Sequence, residues 1–304
     1  MVTLPRLSGS PNVRRAVVLF AVLPWLAACT LGQPGTRQST VAATAAADGI
    51  ALSEGGAPIL FYRSRPAPGR EAWRVNYVHP LYSVGGAVLT EDGPQDHLHQ
   101  RGWYWAWRRI MVDGVRVADG WVGDKVVMEV AAPTSRAWPD GSMQIDTHAT
   151  WHVPVQGVQA AIIEESSSIR AWPLSGGQRR IVVDVRLRAL RSGIQLAGTD
   201  DEKGYGGMSL RFAHSELLEF LSDGQALRPL VAAVRTGEEV TLRWPAPMPG
   251  WPSVIQARCR VNEQPWQSWV LRREPSMQNC AFPGREPVSV PQDRPLRLEV
   301  ALEL

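Results

Sequence analysis

Lysine is nearly absent from this chain: Lys125 and Lys203 are the only two in 304 residues, and the remaining positive charge is arginine. Cysteine is scarce too, with Cys29, Cys259 and Cys280 alone. The last two are neither closely spaced nor flanked by histidine, which argues against a cysteine-built metal site. No apolar run approaches the ~20 residues of a membrane span, which excludes a polytopic membrane protein. Helical periodicity is missing except over the short stretch Ser215 to Leu221. Internal repeats and shifts of composition are also missing, so nothing divides the chain into two folded domains. The apolar fraction is 44%, enough for a sizeable core and too much for wholesale disorder.

The apparent basicity belongs to the N-terminus. Residues 1–28 contain Arg6, Arg14 and Arg15 and no acid. Without them, the 32 basic side chains fall to 29 and balance the 29 acids. A nucleic-acid surface needs a clustered basic excess, so nucleic acid is not expected as a partner. The three arginines precede the apolar run Ala16 to Leu26 and then Leu26-Ala27-Ala28-Cys29. That is a secretory signal ending in a cysteine, and it resembles a bacterial lipobox. The resemblance implies cleavage after residue 28, acylation of Cys29 and a membrane anchor without a span. Thr30, rather than aspartate, follows the cysteine, which points to the outer membrane, facing the periplasm. Residues 29–49 read as the lipidated cysteine and a flexible tether rich in Ala, Thr, Gly, Gln and Ser. In that oxidising compartment Cys259 and Cys280 are expected to form a disulfide rather than remain free buried thiols.

Residues 50–304 read as one all-β domain. Met143, Ile145, Thr147, Ala149, Trp151 and Val153 alternate with polar neighbours. So do Ile181, Val183, Val185, Leu187 and Ala189, and Leu296, Leu298, Val300, Leu302 and Leu304. Period two marks half-buried antiparallel strands. Asp92-Gly93, Asp113-Gly114, Asp140-Gly141, Gly176-Gly177 and Asp223-Gly224 supply turns between them. Many strands with few helices predict a large antiparallel β-sandwich.

Two stretches are dense in reactive side chains. The first runs from His79 through Asp96-His97-Leu98-His99-Gln100-Arg101-Gly102 to Trp103, Trp105 and Trp107. His97 and His99 are two apart and share a side of an extended segment. Such a pair serves acid/base work or ligand hydrogen bonding near neutrality. With His79 and Asp96 it can also complete a metal shell, a weaker signal. Trp103 and Trp105 can stack on the C–H face of a sugar, against the ordinary role of filling the core. The second stretch is Gly198 to Phe212. It mixes Asp200, Asp201, Glu202 and Lys203 with glycines and Tyr205, then enters a strand at Arg211. Mixed charge on loops of a rigid β scaffold suits binding. Glu165 is a further candidate base, while His148 and His152 read as surface. Ser215 beside His214 lacks a nucleophile elbow and any triad order. Nothing in the sequence names a cofactor.

These blocks carry a family resemblance. Tyr77-Val78-His79-Pro80-Leu81-Tyr82, Asp96 to Gly102 with Trp105-Ala106-Trp107, Glu165, Asp184 and Asp201 to Arg211 resemble the bacterial family labelled "methane oxygenase PmoA". A monooxygenase subunit is an integral membrane protein, so the label does not suit a chain without spans. The resemblance implies a galactose-mutarotase-like β-supersandwich and a carbohydrate or sugar-derived ligand in its cleft. Fold analogy alone does not fix an activity. The family pattern Asp-His-Pro-His-His-x-Gly is altered here, with Leu98 for the proline and Gln100 for the last histidine.

The expected function is therefore a periplasm-facing lipoprotein that binds and transforms a carbohydrate, as an epimerase, lyase or hydrolase. His79, His97, His99 and Glu165 are the candidate catalytic groups. Arg101, Trp103, Trp105, Lys203, Tyr205 and Arg211 are the candidate binding groups. The alternatives are a non-catalytic glycan- or cell-wall-binding lipoprotein and a metal-dependent enzyme using the His-x-His pair.

Overall fold

The computed structural model describes residues 39–304 except 215, 216 and 275. The expected signal, Cys29 and the first part of the expected tether lie outside the described residues. The alternating segments form strands with the expected faces. Ile145, Thr147, Ala149, Trp151 and Val153 are all buried in Met143–Val155, and its intervening side chains are not. That strand turns at Gln156-Gly157 into Val158–Ala171, both turn residues having positive φ as a two-residue hairpin requires. Asp113-Gly114 and Asp223-Gly224 turn in the same way.

Two large sheets result. The nine-stranded one runs Val41–Ala46, Gly49–Glu54, Ala57–Arg63, Tyr77–Leu81, Trp103–Trp107, Gly206–Arg211, Met277–Ala281, Ser268–Val270, Val234–Arg235. The eleven-stranded one centres on Val254–Val261, Leu296–Glu303, Arg180–Ala189, Val158–Ala171 and Met143–Val155, all antiparallel. A four-stranded sheet flanks them. The inner faces of the large sheets share one apolar core. Trp107 meets Trp151 across it with ring centroids 5.8 Å apart. Cys259 and Cys280 are bonded, joining the two sheets covalently at a Cα–Cα distance of 6.4 Å.

Two expectations need correction. The described part of the expected helix, from Leu217 on, is not helical: Leu217 lies in a turn and Glu219–Ser222 is a strand, with Leu218 and Phe220 buried at period two. One turn of helix costs its nucleation and returns little, whereas strand pairing is available at the sheet edge. The tether also ends early, because Val41–Ala46 already pairs with Gly49–Glu54. Its alanine-rich composition hides the pairing, since only Val41 there is fully buried. Among the described residues there is no helix.

Candidate functional site

Strand parity decides which side chains can reach a ligand. In Trp103–Trp107 every side chain is buried, but the two faces differ. Trp103, Trp105 and Trp107 enter the core between the sheets. Tyr104 and Ala106 point to the outer face, where they join Tyr77, Met277 and Trp121 in a second apolar cluster. The three tryptophans share a face as the sequence implies, and that face is the inner one. Trp103 and Trp105 are therefore packing residues, unavailable to a ligand.

Glu165 belongs to the same interior. It is fully buried on the opposite sheet and accepts from Asn76 Nδ2 at 2.8 Å, Trp105 Nε1 at 2.7 Å, Trp151 Nε1 at 2.9 Å and Ser167 Oγ at 2.7 Å. Burial pushes its carboxyl above the usual range while the four donors pull it back. The nine-stranded sheet separates it from the histidine loop. Glu165 cross-links the sheets through indole N–H groups and cannot serve as a base beside His97 and His99.

Over the outer face runs the loop from Asp92 to Arg101. Gly102 lets it return to the sheet: its φ is 40°, and a Cβ there would run into the Val78 carbonyl. Two buried arginines pin the loop. Arg74 pairs with Asp92 and donates to the carbonyls of Leu98 at 2.5 Å and Gln100 at 3.3 Å. Arg211 donates to Glu91 at 2.9 Å, to the Gln100 side-chain oxygen at 3.0 Å and to Asp96 at 3.1 Å. Arg211 is thus a positioning residue rather than a ligand contact. Gln100 is buried and committed to it.

Held this way, His97 and His99 project into a cleft of about 680 Å³ with ring centroids 5.7 Å apart. His97 Nδ1 lies 2.9 Å from Asp96. His99 leans on Trp121, whose indole also meets Tyr205 at 5.6 Å and Tyr104 at 5.3 Å. The second dense stretch forms the facing wall with Thr199, Asp201, Lys203 and Tyr205. Asp201 ties its own turn, accepting from Thr199 Oγ1 and from the amides of Lys203 and Gly204. The third wall is Leu230, Val231 and Arg272 to Glu274, with Arg272 donating to the Leu230 and Val231 carbonyls.

The fold thus brings together His97, His99, Lys203 and Tyr205. It leaves out His79, which lies to one side against Thr90 Oγ1 at 3.0 Å. It also leaves out Arg101, which is buried behind the cleft among Trp73, Tyr77 and Tyr104. Among the described residues no three His, Cys, Asp or Glu side chains are grouped to hold a metal ion. Sequence reasoning missed Arg108, Trp121, Arg272 and Arg273. The signals were there: a tryptophan beside the Asp119-Gly120 turn, and an Arg-Arg-Glu run ahead of a proline.

It also passed over a polar trough of about 750 Å³ on the outer face of the other sheet, where His148 lies near Ser166, Ser168, Asp184 and Arg297. There most charges answer one another: Arg186 and Arg297 hold Asp184, and Arg170 holds Asp140.

Burial lowers the His79 and His99 imidazoles to about 4, and for His99 the neighbouring His97, Arg108 and Arg101 add to the effect. The folded protein therefore refuses protons that the unfolded chain accepts below about pH 6.5. Stability contributed by neutral His79 and His99 is complete above that pH and is lost as pH falls toward 4. Urea midpoints measured between about pH 7 and 5 should fall in the wild type and fall less in His99→Asn. Parallel curves for the two proteins would remove this assignment.

Comparison with curated proteins finds no match. Over residues 49–303 the chain fits the profile of a family of unknown function, DUF6807, and it belongs to that family.

Proposed function

We propose that this protein is a lipoprotein that binds a carbohydrate or sugar-derived ligand in the histidine cleft and transforms it by proton transfer. The observation that carries the reading is the convergence of the two dense stretches. His97, His99, Lys203 and the half-buried Tyr205 line one cleft of about 680 Å³, and the buried Trp121 indole supports His99 and Tyr205 from behind. An aromatic face beneath a sugar ring and polar groups around it is the usual composition of such a site. His99, held neutral by burial, offers one ring nitrogen as donor and the other as acceptor, and Asp96 orients the His97 imidazole. The lipobox-like sequence ending at Cys29 supports an anchor at the outer membrane, facing the periplasm. The β-sandwich is compatible with the mutarotase-like architecture implied by the resemblance, although fold alone assigns no reaction.

A second reading, binding without catalysis, is favoured by Gln100. Where relatives are expected to carry a third imidazole, this chain has an amide engaged by Arg211. One experiment separates the two. The full-length chain is titrated with a panel of mono- and disaccharides by thermal shift, and products are followed by NMR. Catalysis predicts turnover that falls about 100-fold or more in His99→Ala with binding retained. Binding without turnover would leave the second reading. Absence of both across the panel would remove the carbohydrate assignment.

A further inference from the structure

Among the described residues four arginines are buried, and one of them has no carboxylate in contact. Arg74 pairs with Asp92, Arg179 with Glu54, and Arg211 with Glu91 and Asp96. Arg101 is almost as deeply buried as Arg74, and its Nε and Nη1 have no hydrogen-bond partner. Its surroundings are the faces of Trp73, Tyr77 and Tyr104, the last at 4.8 Å. Ring faces soften a buried cation's isolation but do not neutralise it. Tyr104 in turn packs on Trp121, the floor of the cleft. A positive charge with no carboxylate in contact, and only Asp92 acting on it from farther off, therefore sits behind the Tyr104 and Trp121 rings.

The cleft itself leans the same way. Arg108, Lys203, Arg272 and Arg273 line it against Asp201 and Glu274. Asp201 is tied into its own turn and reaches Lys203 only at 3.5 Å. Asp119, which answers Arg108 at 3.3 Å, is shared with Arg116 at 2.8 Å.

We infer that the ligand of this cleft carries a carboxylate, as in a uronic acid, with its ring beside the half-buried Tyr205 and its charge toward Arg108, Lys203 and Arg273. This rests on the carbohydrate reading and narrows it to acidic sugars. The anion would supply the countercharge that the fold withholds from Arg101.

The test compares glucuronate with glucose, which differ at C6, and sodium acetate as a bare carboxylate. Binding to the full-length chain is measured by calorimetry at low and moderate salt. Glucuronate should bind about tenfold or more tighter than glucose, and salt should shrink that ratio. Arg101→Met, which keeps the buried volume, should reduce the ratio about threefold or more while leaving glucose affinity unchanged, and Arg273→Gln, at the exposed mouth, should weaken glucuronate more than it weakens glucose. Equal affinities would overturn the acidic-sugar inference and leave the carbohydrate reading standing. Acetate binding as tightly as glucuronate would overturn both in favour of a simple anion site. No binding by any of the three would likewise overturn both.

Discussion

Glu165→Ala is expected to lower unfolding free energy by about 3–5 kcal/mol, the largest loss of any single substitution considered, because it strands several buried donors in a dry core. The Asn76 amide, the Trp105 and Trp151 indole N–H groups and the Ser167 hydroxyl all end on this carboxylate. The two indoles belong to opposite sheets, so the loss also loosens the joint between the layers. Glu165→Gln should cost less, about 1–3 kcal/mol, because the amide oxygen keeps some donors while its NH₂ opposes another. Urea unfolding monitored by tryptophan fluorescence gives both values. Ligand affinity per folded molecule should be unchanged, since the cleft lies on the far side of the nine-stranded sheet. A Glu165→Ala protein of normal stability that had lost turnover would return this residue to the chemistry.

The second large effect is expected from the Cys259→Ala, Cys280→Ala double variant. The bridge closes a loop of 21 residues, which the chain-entropy model values at about 3 kcal/mol. Both sulfurs are buried, so small cavities add to the loss. The consequence for the site follows from the sequence inside that loop. Arg272, Arg273, Glu274 and Met277, one wall of the cleft, all lie between the two cysteines. Removing the bridge frees that wall at one end, so ligand affinity should fall along with stability. Denaturant midpoints and ligand titrations of wild type and double variant measure the two effects together. A double variant as stable as wild type would show that packing alone holds the sheets.

Much of the site's content was legible, though its arrangement was not. His97, His99, Lys203 and Tyr205 were recognisable because reactive side chains clustered along the chain at loops. Arg211 looked like a ligand contact for the same reason. Only its placement among Glu91, Asp96 and Gln100 shows that it anchors the loop. Glu165 was misjudged because an acid in a strand, here one of the adjacent pair Glu164 and Glu165, reads the same whether its partners are water or four buried donors. Trp121 and Arg273 were missed because they sit far in sequence from either dense stretch and join the site through long-range packing.

By itself the sequence determined the all-β class, the alternation of the long strands and several of their turns. Those depend on local alternation and on turn residues with positive φ, which neighbours a few positions away dictate. Tertiary structure alone decided which face of each strand became interior. Alternation says that Trp103, Trp105 and Trp107 lie together, but the side they lie on depends on where the second sheet packs. That choice buried Trp105 against Glu165 and turned Tyr104 outward toward Trp121. It therefore fixed which side chains could meet a ligand.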